Sequence, residues 1–194
     1  MKKIIPLLLC VCATLFASAT MAQQSVAQSS TMKGDIAAFH GNQDTLIHAI
    51  RTIEKSTGGK VTEIRFSQIN GKPGFHAVVA KGGKVSFVHV QERSENVVQI
   101  DANNGPPWMM NWRNKADVHF AETATVSLET AIRTAEQAQN APAIAAGIAR
   151  SASNPTSDVQ AYNVLVAVDG DTKRIAVDDS TGEVIADPSA LSSF

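Results

Sequence analysis

Two stretches of this chain carry one pattern in one register, and that duplication limits what the chain can fold into. Ala49-Ile50-Arg51-Thr52-Ile53-Glu54 returns as Ala131-Ile132-Arg133-Thr134-Ala135-Glu136. Downstream, 75–98 lies over 162–185 without a gap. Gly82-Gly83 then falls on Asp169-Gly170, and Val90 and Val97 fall on Val177 and Val184. A shared hexapeptide with co-registered turns predicts an internal repeat of one supersecondary unit.

The content of each unit follows from its periodicity. In 45–56, Leu46, Ala49, Ile50 and Ile53 recur at helical spacing, and Gly58-Gly59 stops the run. In 127–139 the same stripe is Leu128, Ala131, Ile132 and Ala135, with Ser127 as N-cap. The stretch 160–188 alternates apolar and polar residues. Asp169-Gly170 and Asp178-Asp179-Ser180-Thr181-Gly182 supply its turns, and Val184-Ile185 begins a third strand. In the first unit 60–69 adds a leading strand, closed by Asn70-Gly71-Lys72-Pro73-Gly74; its counterpart, 141–156, is alanine-rich with Pro142 and Pro155, and periodicity assigns it no type. Alternating strands bury one face, and the helix stripe is their natural cover. The expected fold is α+β: two repeated units, each a helix packed on a three- to four-stranded antiparallel sheet.

Met1-Lys2-Lys3 followed by the apolar run 4–19 and the small residues Thr20 and Ala22 reads as a signal peptide cleaved after Ala22. The run is shorter than the roughly 20 residues a spanning helix needs, and Pro6 interrupts it. Cleavage would remove both cysteines, Cys10 and Cys12, and leave no disulfide, thiolate nucleophile or cysteine metal ligand. It would also remove Lys2 and Lys3, taking the formal net charge from −1 to −3. So mild a charge argues against nucleic acid and anionic membrane surfaces as partners. The expected organisation is signal 1–22, polar leader 23–34, first unit 35–101, connector 102–125 and second unit 126–188.

Within the second unit, Tyr162-Asn163-Val164-Leu165-Val166, the Asp169-Gly170 turn and the run from Val177 to Ile185 resemble the PepSY domain. That family shows a Y-x-V-x-V strand and a V-D-x-x-T-G-x-V hairpin after an A-I-x-x-A-E type helix, here Ala131 to Glu136. The first unit departs from it: Gln91 stands where Asp178 does, and Glu95 where Gly182 does. Those changes remove a side-chain acceptor and a positive-φ residue, which predicts a differently shaped hairpin tip. The resemblance implies a non-catalytic exported module, of the kind proposed to hold peptidases in check.

Motifs for catalysis are missing. The chain has no H-E-x-x-H, no G-x-S-x-G and no complete phosphate loop. Asp169, Asp171, Asp178 and Asp179 cluster in sequence, but Lys173 breaks the EF-hand order, so turn formation accounts for them better than calcium. The histidines are more informative. If Gly82-Gly83 is a two-residue turn, His76 falls opposite His89, and both imidazoles face away from Ala77, Val79 and Val88. Opposed residues have Cβ atoms about 4.5–5.5 Å apart, near enough to share a metal. Asn163 and Ala176 hold these places in the second unit, so the fold does not require the pair.

The connector carries Trp108, Met109, Met110 and Trp112 within five residues. Two accounts stand: a seal buried between the units, or an anchor for a partner, since Trp and Met are enriched at binding interfaces. The sequence thus leads to an exported, periplasmic or secreted protein that is not an enzyme and needs no cofactor. Its expected role is binding, as an inhibitor or regulator of a peptidase or another envelope protein. The alternative is histidine-dependent binding or sensing of a divalent metal through His76 and His89.

Overall fold

The computed structural model describes residues 36, 39, 45–69, 72–91, 97–100, 118–121, 123–149, 161–187 and 191. Two helices, α1 (Leu46–Thr57) and α2 (Leu128–Gln139), cover one face of a sheet. The strands are β1 (Lys60–Ile69), β2 (Lys72–Lys81), β3 (Lys84–Gln91), β4 (Val97–Ile100), β5 (Ala143–Ala149), β6 (Ala161–Val168) and β7 (Asp171–Asp178). The fold is α+β, as expected.

The strands do not form two sheets. They join into one seven-stranded antiparallel sheet, ordered β4-β3-β2-β1-β5-β6-β7. The junction is β1 against β5, through Glu63↔Gly147, Ile64↔Ala146 and Arg65↔Ala145. β5 is the alanine-rich stretch that periodicity could not assign. All seven of its residues are buried, so it lacks the polar alternation that marks a half-exposed strand.

Each helix begins and ends in the same way. Thr45 and Ser127 accept at their hydroxyls from the backbone N–H three residues on, of His48 and Thr130. Gly58 and Asn140 close the helices in the left-handed conformation, each amide donating to the carbonyl of Glu54 or Glu136. Such caps satisfy backbone groups that a helix end leaves orphaned. The carboxylates of those two glutamates then reach forward. Glu54 Oε1 accepts from the Val61 amide and Glu136 Oε1 from the Ala143 amide, each at 3.0 Å, tying each helix to the strand that follows it. The pairing register shifts at Val61/Glu63 in β1 and at Ala143/Ala145 in β5, again at matching positions.

The core lies between the helices and the sheet. Val88, Ala77, Ile64, Ala146, Val164 and Ile175 form one row across six strands, with Ile53 and Ile132 fully buried above. Burying a side chain of this size contributes about 1.5–3 kcal/mol. Arg51 on α1 and Glu129 on α2 form a two-pronged ion pair, with Nε–Oε1 at 3.0 Å and Nη2–Oε2 at 2.8 Å.

Two further expectations need correction. Val184 does not begin a full third strand; it makes an isolated bridge with Val177, supported by Asp178 N–H to Glu183 O and Ile185 N–H to Ala176 O. The chain bends at 186, and Pro188 has no amide hydrogen with which to extend a ladder. Lys72, Pro73 and Gly74 belong to β2 rather than to a turn. The proposed signal 1–22, the leader 23–34, Glu95 and the Trp/Met cluster lie outside the described residues.

Candidate functional site

Most chemistry-bearing side chains of the second half are occupied by the fold itself. Asp178 Oδ1 accepts from the Ser180 amide at 2.8 Å, the Ser180 hydroxyl at 2.6 Å and the Thr181 amide at 2.9 Å. These donors, the Ser180 hydroxyl foremost, hold its carboxyl below the usual carboxylate range. Asp179 accepts from the amides of Thr125 and Val126 ahead of α2, and Asp171 from the amide of Thr172. The aspartates are therefore turn and capping groups, as the sequence suggested. Among the described residues, no group of three or more His, Cys, Asp or Glu side chains comes together.

Tyr162 is likewise structural. Its hydroxyl donates to the Val126 carbonyl at 2.5 Å, and its ring meets that of Phe120 edge-on at 4.8 Å. Burial pushes its phenol pKa up, with the Asp179 charge adding to the shift. Phe120 belongs to a helical stretch at 118–121 and 123 that was read as part of the connector. Ile36 and Phe39, also helical and buried, fall within the first unit but ahead of its expected helix at 45–56. Ile36-Ala37-Ala38-Phe39 and Val118-His119-Phe120-Ala121 are runs of four residues, too short to display a helical period.

On the sheet face away from the helices the histidine pair remains. Lys81 pairs with Lys84 around Gly82-Gly83, and His76 stands opposite His89, in the register that the turn dictates. The row continues on both sides, from Arg65 on β1 through His76 and His89 to Val98 on β4. The rings lie 5.1 Å apart, centre to centre, at an interplanar angle of 64°. Both imidazoles lie on the face away from Ala77, Val79 and Val88, as expected, but only His76 is exposed there. His89 is only 6% exposed. It lies between β2 and β4 with the His76 ring against it, whereas His76 faces Arg65, which is itself exposed. Burial lowers the pKa of both rings; for His76, the neighbouring His89 and Arg65 lower it further. These shifts favour the neutral imidazole, the form that donates to a metal. His89 Nδ1 is buried and has no hydrogen-bond partner among the described residues.

His48 lies exposed on α1 and His119 exposed in the helical stretch at 118–121, so the sheet brings together only His76 and His89 of these four. Trp108, Met109, Met110 and Trp112 fall outside the described residues. Phe87, two residues before His89 on β3, is 42% exposed on the same face.

No family model matches the chain. No curated protein matches it either. Among solved structures, the chain is similar to a protein described as a "putative lipoprotein" from Clostridium difficile 630. The two share 14% identity over 74% of this chain and 93% of that one, with a TM-score of 0.41. Among the described residues, no helix is long and apolar enough to cross a membrane.

Proposed function

We propose that this protein is an exported, non-catalytic binding module built from two PepSY-like units, which inhibits or regulates a peptidase or another envelope protein. One observation carries the reading: each half ties its helix to its leading strand through the same glutamate-to-amide bond, Glu54 to Val61 and Glu136 to Ala143. Matching caps and matching register shifts accompany it, which supports two copies of one unit. The Tyr162 strand and the Asp178 turn, which carry the resemblance, are held by their own hydrogen bonds, so these residues serve the fold rather than a reaction. The basic start and apolar run 1–22 support export. Residues 108–112 would supply the partner contact, because two Trp and two Met so close together are a hot-spot composition.

The test uses purified chain immobilised against envelope extract of its own source, wild type beside Trp108→Ala/Trp112→Ala. The reading expects one envelope protein to be retained by the wild type and lost with the variant. If that protein is a peptidase, its rate should change when the chain is added. A retained set that is the same for both chains, or a captured peptidase indifferent to the chain, overturns the reading.

A further inference from the structure

We infer that His76 and His89 form a binding site for a borderline divalent transition-metal ion, a site with two protein ligands whose remaining positions stay open to solvent or to a donor from another molecule. The geometry is the first support. With a metal–nitrogen bond of about 2.1 Å, the centre of a ligating imidazole sits about 3.2 Å from the ion. Two rings 5.1 Å apart would then subtend about 105° at a shared ion, close to the tetrahedral angle that zinc sites favour. The strand register sets this spacing, so it needs no movement of the backbone.

The second support is independent of the spacing. His89 is more than nine-tenths buried, and its Nδ1 has no partner among the described residues. A buried polar atom left unpaired costs roughly 1–3 kcal/mol, and a structure that tolerates this cost commonly reserves the atom for a ligand or a water. His76 is exposed and free to turn its ring towards a common point.

Two further features define the chemistry. No third His, Cys, Asp or Glu joins the pair among the described residues, so the ion keeps open positions and exchanges readily. Arg65, opposite His76 on β1, sets a positive charge beside the site and weakens it further. Imidazole-only coordination favours the ions late in the first transition row, with Cu²⁺ ahead of Ni²⁺ and Zn²⁺. Magnesium and calcium, which want oxygen ligands, are excluded. This inference does not depend on a peptidase partner.

Calorimetric titration with Cu²⁺ alone and with Zn²⁺ alone tests it, on untagged protein with the ring proton resonances of the histidines followed in parallel. The variants are His76→Asn and His89→Ala, which install the residues that Asn163 and Ala176 supply at the matching pair of β6 and β7. His48→Ala on α1 is the control. The wild type is expected to take up one ion per chain, more tightly for Cu²⁺, with the His76 and His89 resonances broadened by Cu²⁺ or shifted by Zn²⁺. Affinity should fall at least tenfold in either variant and stay unchanged in the control. His89 is buried, so His76→Asn, at an exposed position, decides the matter should His89→Ala fail to fold. No uptake by the wild type, uptake by His76→Asn as tight as the wild type's, or loss in His48→Ala overturns the inference.

Discussion

The paired glutamates give the most direct test of how this fold is held. Glu54 and Glu136 each accept from the amide of a residue seven positions on, at 3.0 Å, where helix gives way to strand. Both bonds are partly buried, and each acceptor is a carboxylate. A hydrogen bond to a charged group contributes about 1.5–3 kcal/mol when shielded, and partial exposure reduces this towards about 1–2 kcal/mol. Replacing either glutamate by alanine leaves a strand amide without its acceptor. For a chain of this size 1 kcal/mol corresponds to roughly 2–4 °C, so each alanine variant should melt about 2–8 °C below the wild type. Glutamine keeps an acceptor oxygen and loses only the charge, so Glu54→Gln and Glu136→Gln should recover at least half of the loss. The assay is thermal unfolding followed by circular dichroism at neutral pH. An alanine variant in either half that melts with the wild type would show that the bond carries no stability there. Glutamine variants as damaged as the alanine ones would show that charge, rather than the acceptor, is what matters.

Gly182 sits at φ +74°, and a Cβ there would meet Val126 Cγ2 at 3.5 Å, an ordinary contact. Gly182→Val should therefore lose stability through backbone strain rather than collision, by roughly 1 kcal/mol or more, read as a lower denaturation midpoint in urea. Asp178 supplies a pH dependence. Its carboxyl titrates lower in the folded than in the unfolded chain, so its contribution is complete above the unfolded value of about 3.9 and is lost as pH falls through the folded one. Asp178→Asn should lower stability in the neutral region and leave it close to wild type in acid, flattening the acid limb of the stability–pH curve, and an unchanged acid limb would refute this.

How much of this was legible in the sequence varies by element. Both helices were, because stripes at Leu46, Ala49, Ile50, Ile53 and at Leu128, Ala131, Ile132, Ala135 have a period that only one structure satisfies. The β2–β3 register was also legible, since a two-residue glycine turn leaves one way to pair Lys81 with Lys84, and the histidines follow. β5 was not. Ala143 to Ala149 is buried throughout, and a strand buried on both faces loses the alternation by which strands are recognised. The merging of the strands into one sheet was hidden for a related reason: it depends on β5 finding β1, a pairing between distant segments that no local pattern encodes. The pairing of His76 with His89 could be read from the turn, but the burial of His89 could not, because it depends on β4 closing against β3.

The β1–β5 junction has a consequence for how the chain reaches this state. The strand pairs outside the junction join segments that follow one another along each half, such as Lys81 with Lys84 or Ala149 with Ala161. At the junction Glu63 must find Gly147, 84 positions away, and three paired residues hold the contact. Closing a loop that long costs about 2 kcal/mol more than closing the Ala149–Ala161 loop, on the logarithmic dependence of closure entropy on length. Local pairings therefore form early and the junction late. Until it closes, each half presents a leading strand, β1 or β5, with one edge unpaired, whose nearest complement is the other half's. In crowded or concentrated solution that interval is when a strand from a second copy can take the place, and it sets the concentration above which refolding gives intertwined chains rather than single ones.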